Sequence, residues 1–379
     1  MYKISTLNKI SKVGLSHFDD RYIITDKIED ANGILVRSQD MHSMDFSGQL
    51  MAIARAGAGV NNIPLDACAE KGIVVFNTPG ANANAAKELV LAGMFLAARH
   101  IPRALSWAAS LTEGVGAAVE KGKSQFAGTE IMGKTLGIAG LGAIGKKVAA
   151  SAAALGMNIV GYDPFFNGQV PQGVAMYDSL EEMLPLCDYV TIHIPATDST
   201  KGMFNKDLFA CFKDSAVLLN FSRDKLVNEV DLLVALESGK ISVYVTDFPT
   251  DTLVGRDKVI LLPHLGASTA EAEDNCASMA VEQIMDYFEN GNIRNSVNFP
   301  AVDMGPIGDN ARICILTEDM ADPAGEVMKS ISLGDTKIIR TESAVKGRFG
   351  YVLAEVDSPE APSLVFYDKR ILRSRSITR

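Results

Sequence analysis

Residues 135–149 read TLGIAGLGAIGKKVA. An apolar strand runs into glycines at 140, 142 and 145, and these run into an alanine-rich helix. This G-x-G-x-x-G spacing constrains the fold more than any other stretch. Gly140 permits a tight turn, Gly142 lets backbone approach a pyrophosphate, and Gly145 lets the helix lie close to the strand. The helix N-terminus then offers free N–H groups and a positive dipole end to phosphates. A second strand, 158–162, ends at Asp163, 18 residues beyond Gly145. An acidic residue near that distance accepts the ribose hydroxyls of a dinucleotide and repels a 2′-phosphate, which favours NAD over NADP. Lys146 and Lys147 lie on the helix and change that preference little. The alternative is that the glycines serve only helix–strand packing.

The remainder of the chain repeats the pattern around that loop. Short apolar runs at 34–36, 51–55, 74–76, 135–139, 158–162, 189–194, 216–220, 243–246 and 259–262 read as strands, separated by longer amphipathic stretches. Such alternation predicts an α/β fold with doubly wound parallel sheets, whose functional groups sit at the C-terminal strand ends. With 379 residues the chain suits two or three domains. Its net charge of −10 is a poor match for nucleic acid or an anionic membrane, so an anion site here needs local cations. The segment MYKISTLNKISKVGLS is too polar for a secretory signal, and the longest apolar run, 89–98, falls short of the ~20 residues of a spanning helix. Five scattered cysteines without C-x-x-C spacing suit a reducing cytoplasm and give no metal cluster.

After 298–309, a Pro- and Gly-containing stretch that reads as a linker, the pattern changes. Strands are expected at 312–316, 337–340, 349–356 and 371–377, with a helix over 322–332 capped by Asp322 ahead of Pro323. That order suits a small α+β tail of about 70 residues.

Several polar residues stand at predicted strand ends. His264 lies between Pro263 and a Gly-containing turn, where an imidazole serves either proton exchange or structure. Arg223 follows the 216–220 strand and either forks onto a carboxylate or makes a surface ion pair. His193 ends another strand and either lines a cofactor cleft or is structural. His17, His42 and His100 read as surface or packing residues.

The glycine loop with Asp163, taken with RAGAGVNNI (55–63), NTPGAN (77–82), NFSR (220–223), DFP (247–249) and PHLGAST (263–269), resembles the D-isomer-specific 2-hydroxyacid dehydrogenases over roughly residues 30–300. The likeness is greatest to members that oxidise 3-phospho-D-glycerate to 3-phosphooxypyruvate in serine biosynthesis. The resemblance implies a discontinuous substrate-binding domain (1–98 and 280–300) and an NAD-binding domain (99–279), with lobe closure excluding water. It implies His264 as general acid/base and Arg223 as substrate clamp. Arg37, Ser38 and the backbone of Ala58 and Gly59 would bind the phosphorylated 2-hydroxy acid. The NAD set would be Gly140, Gly142, Ala143, Ile144, Gly145, Asp163, Pro195, Ser222, Asp247 and Gly266. Lys87 is a second cation candidate or a surface lysine. Asn62 and Asn77 either orient backbone near substrate or are structural. A homodimer or homotetramer is implied, with the stretch around Trp107 as contact or core. The alternatives are a hydroxypyruvate or glyoxylate reductase, or a non-catalytic NAD-sensing scaffold.

The chain departs from the family at three places. The histidine's usual partner is Glu, but position 252 is Thr, which leaves Asp251, the favoured candidate, or Asp247. Asp224 replaces the usual Gly after Arg223, a position where Asp would tolerate a positive φ. The tail, 310–379 after a linker at 301–309, resembles an ACT domain with a possible amino-acid effector. Its first loop, Thr317 to Pro323, is acidic and a poor receptor for an amino acid's carboxylate.

Overall fold

The computed structural model describes residues 1–330, 336–360 and 368–379. The chain forms two compact units: Met1–Asn82 with Ala270–Arg379, and Ala83–Thr269. The expected boundary at 98/99 instead falls at 82/83, before the helix Ala83–Ala98, and the boundary expected at 279/280 falls at 269/270. The helix Ala83–Ala98 buries Val90, Met94, Ala97 and Ala98 in the core of the second unit, so helix packing sets the division.

In the first unit, β1 (Tyr2–Leu7), β2 (Tyr22–Ile24), β3 (Gly33–Val36), β4 (Ala52–Arg55) and β5 (Val74–Phe76) form a parallel sheet of order β2-β1-β3-β4-β5. This is the flavodoxin-like order. Side chains alternate between faces. Ile34, Val36, Ile53 and Val75 enter one core, while Leu35, Ala52, Ala54 and Phe76 enter another. The second face is covered by the helix Ala270–Asn290, whose Cys276, Ala277, Ala280, Val281, Ile284, Tyr287 and Phe288 make a buried stripe at helical spacing. Strands β1 and β2 were not legible in the sequence. The edge strand β2 buries only Tyr22, and β1 fully buries only Ile4 and Ser5, so neither required an apolar run.

The second unit holds seven parallel strands: β6 (Thr135–Ala139), β7 (Asn158–Tyr162), β8 (Val174–Met176), β9 (Tyr189–Ile192), β10 (Ala216–Asn220), β11 (Ile241–Thr246) and β12 (Val259–Leu261). Their order is β12-β11-β10-β9-β6-β7-β8, the dinucleotide-binding arrangement with its switch point between β6 and β9. The edge strand β8 escaped the sequence pattern because none of its residues is fully buried.

The tail is an antiparallel sheet of β13 (Arg312–Glu318), β14 (Ile338–Lys346), β15 (Phe349–Val356) and β16 (Ile371–Ile377), in the order β14-β15-β13-β16. The helix Pro323–Ser330 follows Asp322, whose Oδ1 accepts from Gly325 N at 3.0 Å. Residues 331 and 332 of the expected helix lie outside the described residues. One face of β13 and β15 packs with Val327 and Met320, and the other joins the first unit's core through Cys314, Leu316, Tyr351 and Leu353. The tail expected as a small separate domain is therefore part of that unit. The stretch read as a linker is bound into it too. Asn298 accepts from Val75 N and donates to Ile73 O, both at 2.9 Å. The buried Arg312 guanidinium donates to the carbonyls of Asn290, Met304, Gly305 and Pro306 and pairs with Glu355 at 3.3 Å.

Candidate active site

All seven strands of the second unit run parallel, so their C-terminal ends share one edge. Along it stand the glycine loop after β6, Asp163 after β7, His193 and Pro195 after β9, Ser222 and Arg223 after β10, Asp247 after β11, and His264 after β12. Gly140 has φ +98, and a Cβ there would meet His193 O at 2.6 Å. A Cβ on Gly145 would lie 2.1 Å from Gly140 O, whereas one on Gly142 meets nothing within 4 Å. The three glycines thus serve a turn, a helix–strand contact and an open approach, as their spacing predicts. The helix Ala143–Ala154 begins with Gly142 as N-cap and has no side-chain cap. Its first-turn N–H groups, those of Ala143 and Ile144 included, have no intrahelical acceptor. Asp163 Oδ2 accepts from Leu141 N at 2.9 Å and Oδ1 from Phe165 N at 3.0 Å, fixing the carboxylate beside the loop. Each oxygen keeps a lone pair for a hydroxyl donor. These features fit a dinucleotide.

The Arg223 loop is pinned from below. Fully buried Asn220 donates to Arg223 O at 2.8 Å and accepts from Ser222 N at 3.1 Å. Ser222 Oγ donates to Ile194 O, and Thr246 Oγ1 to Asn220 O, both at 2.7 Å, which ties β9, β10 and β11 together. The sequence motif contained Asn220, but only the fold reveals its function as the loop's anchor. The Arg223 guanidinium is exposed and donates to Ser222 O. Asp224 opens a 3-10 turn, Asp224–Leu226, and its φ is not positive. The left-handed turn expected there is absent, and Asp at this position carries no backbone penalty.

His264 itself has φ +50, and its N–H donates to Asp247 O at 2.9 Å. Its ring is exposed and packs at 4.9 Å against Phe248. Asp251, the expected partner, is exposed and makes no hydrogen bond or ion pair with His264 among the described residues. The carboxylate beside His264 belongs to Asp247. It is 1% exposed, Oδ2 accepts from Gly266 N at 2.8 Å, and Oδ1 has no partner among the described residues. Burial raises its pKa, against the opposing pull of the Gly266 hydrogen bond and the His264 charge. The sequence preference for Asp251 rested on chain position, whereas the β11 end turns Asp247 inward. His193 Nε2 lies 3.0 Å from Thr191 Oγ1, its Nδ1 is buried without a partner among the described residues, and burial pushes its pKa down to about 4. It is a neutral imidazole at the switch point. Pro195 O accepts from Thr200 Oγ1 at 2.7 Å.

The first unit carries its own set at the C-terminal ends of β1, β3, β4 and β5. Arg37 Nη1 pairs with Glu273 Oε1 at 2.7 Å, and Arg55 Nε donates to Arg37 O at 3.0 Å. Ser38 is exposed on the same loop. The N–H groups of Ala58 and Gly59 donate to no backbone acceptor among the described residues. Asn77 Nδ2 donates to Ala58 O at 2.7 Å, so Asn77 does orient that loop, and Asn62 Nδ2 donates to Gln39 O at 2.8 Å. Lys87, in the second unit, is largely buried and lies 3.5 Å from Glu88. Trp107 packs on Phe126 at 5.2 Å, and the helix Ile101–Ala109 has no fully buried residue. No helix among the described residues is long and apolar enough to cross a membrane.

The seven-strand order and the glycine loop together define an α/β dinucleotide-binding unit, and sequence similarity gives its family. The model of the D-isomer specific 2-hydroxyacid dehydrogenase NAD-binding domain matches residues 91–266. The chain belongs to the D-isomer specific 2-hydroxyacid dehydrogenase family and carries that NAD-binding domain. It is 35% identical to the D-3-phosphoglycerate dehydrogenase of Methanocaldococcus jannaschii over 336 residues, 86% of this chain and 63% of that protein. It is 32% identical to that of Mycobacterium leprae over 372 residues, 91% and 68% respectively. Among solved structures, the NAD+-bound 3-phosphoglycerate dehydrogenase of Entamoeba histolytica superposes with a TM-score of 0.63 at 28% identity, covering 78% of this chain and 98% of that one. The chain spans about two thirds of the length of these two curated relatives.

Proposed function

We propose that the chain oxidises 3-phospho-D-glycerate to 3-phosphooxypyruvate with NAD. The observation that carries this reading is the similarity, along most of the chain, to relatives named D-3-phosphoglycerate dehydrogenase. Bound NAD supplies the hydride acceptor. The His264 imidazole takes the substrate's hydroxyl proton as the C2–H bond gives up its hydrogen with the electron pair. Arg223, exposed on a loop fixed by Asn220, forks onto the carboxylate and the developing carbonyl oxygen. The N–H groups of Ala58 and Gly59 add carboxylate donors. Arg37 and Ser38 contact the phosphate. Pro195, Ser222, Asp247 and Gly266 would hold the nicotinamide end of the cofactor, and Asp163 would accept from the adenosine ribose hydroxyls and disfavour NADP. Asp247, not Asp251, is the carboxylate that acts with His264.

The assembly is a homodimer or homotetramer that uses the helices Ile101–Ala109 and Val115–Gly122. Neither helix has a fully buried residue, and Leu105 and Val115 are 65% and 48% exposed. Cysteines that are free, four of them buried, suit a cytoplasmic enzyme.

The test is a panel of 2-hydroxy and 2-oxo acids followed at the NADH absorbance. A kcat/KM for 3-phospho-D-glycerate at least about tenfold above that for D-glycerate is expected, since misplacing one charged hydrogen bond costs about that factor. Equal values overturn the phosphate assignment, and higher activity on glyoxylate or hydroxypyruvate identifies a reductase.

A further inference from the structure

The loop that carries Arg37 and Ser38 is held by a residue that belongs to no sequence motif. Asn8 follows β1 in the left-handed region, with φ +69. Its Oδ1 accepts from two consecutive backbone N–H groups, Ser38 N at 3.0 Å and Gln39 N at 2.7 Å. We propose that Asn8 is a positioning residue for substrate-phosphate recognition, a role that rests on the phosphoglycerate reading above.

Two successive N–H groups converging on one point make a small anion-binding concavity. In this chain a neutral amide oxygen fills it, so the backbone donors of the loop are already used. Two of the loop's carbonyls are also taken. Arg55 Nε donates to Arg37 O, and Asn62 Nδ2 donates to Gln39 O. Contact with an anion therefore passes to the Arg37 guanidinium and the Ser38 hydroxyl. Their directions depend on a backbone that Asn8, Arg55 and Asn62 fix from three sides. Asn suits position 8 on two counts. It tolerates the left-handed backbone better than most residues, and its carboxamide reaches across the sheet edge without bringing negative charge toward a phosphate.

Asn8→Gly separates the two properties, because glycine keeps the backbone conformation at no steric cost and removes the acceptor. The experiment measures kcat and KM in the reductive direction with 3-phosphooxypyruvate and with hydroxypyruvate. It also measures hydrogen exchange at Ser38 and Gln39 in wild type and variant. For Asn8→Gly, the KM for the phosphorylated acid rises about tenfold, the scale of one misplaced charged hydrogen bond. The variant's kcat for both acids and its KM for hydroxypyruvate stay within about twofold, and both amides exchange faster. Unchanged exchange at both amides overturns the positioning role whatever the substrate proves to be. Faster exchange with equal KM changes for the two acids also overturns it, since that marks a merely structural loop. Wild-type enzyme that fails to distinguish the two acids overturns the phosphoglycerate reading instead, and the exchange result still decides whether Asn8 holds the loop.

Discussion

Arg37 Nη1 lies 2.7 Å from Glu273 Oε1, a pairing that joins the loop after β3 to the first turn of the helix Ala270–Asn290. Both side chains are more than a third exposed, at 38% and 45%, so the pair contributes at most about 1 kcal/mol to stability. If Arg37 binds the substrate phosphate as proposed, that phosphate competes with a carboxylate already there. Glu273→Gln is expected to lower the KM for the phosphorylated substrate about threefold at low ionic strength, with kcat and melting temperature little changed. Steady-state kinetics at 20 and 200 mM salt check this, with the larger effect at low salt on the order expected from screening. A KM that rises would show that Glu273 orients Arg37 for the substrate.

The glycine loop gives a contrast between two neighbouring substitutions. A Cβ at position 142 meets no atom within 4 Å, while one at 145 would sit 2.1 Å from Gly140 O. Gly142→Ala should therefore fold with a stability within about 0.5 kcal/mol of wild type and lose affinity for NAD. Gly145→Ala should lose about 1–3 kcal/mol of stability through overpacking. Urea denaturation and NADH fluorescence titration separate the two effects. A Gly142→Ala protein with unchanged NAD affinity contradicts the assignment of that open space to the cofactor.

The proposed role of His264 and the lack of one for Asp251 can be tested by rate. Asp251 is exposed and has no bond to the imidazole, so Asp251→Asn should leave kcat within about twofold, as expected of a surface substitution. His264→Ala should lower kcat by about 10²–10⁴-fold while NAD still binds. A drop of tenfold or more in Asp251→Asn would restore Asp251 as the partner.

Asp247 makes a pH-dependent stability term whose sign follows from its burial. Its native pKa is raised, so between the unfolded value of about 4 and the native value the folded state binds more protons than the unfolded one. Stability from this group is then present at low pH and lost as pH rises through that window. Asn at 247 still accepts from Gly266 N and never ionises. The melting temperature of Asp247→Asn relative to wild type should therefore increase as pH is raised from about 4. A relative melting temperature that falls over the same range would mean the carboxylate is better solvated or paired than its orphaned Oδ1 indicates.

Much of the nucleotide unit was legible in the sequence. The strands Thr135–Ala139, Asn158–Tyr162 and Ala216–Asn220 fall where the apolar runs place them. Central parallel strands are buried on both faces, so each must be a continuous apolar run. The edge strands β2 and β8 carry no such requirement and left no trace. In the tail, β13 and β15 were visible for the same reason, as both are buried on both sides. Hidden from the sequence was the identity of the second surface, which is the helix Ala270–Asn290 of the first unit.

The sequence by itself determined the glycine turn, the acidic residue after β7, and the placing of Arg223 and His264 at strand ends. These depend on local backbone needs and on the period of burial, both written within a few residues. Only the tertiary structure decided that Asp247 and not Asp251 lies beside His264, that Asp224 needs no left-handed turn, and that Asn8 and Glu273 converge on the Arg37 loop. Those relationships join residues from 17 to more than 200 positions apart. Their bonds form only where the packing of sheets and helices brings the partners together, and no spacing along the chain records that.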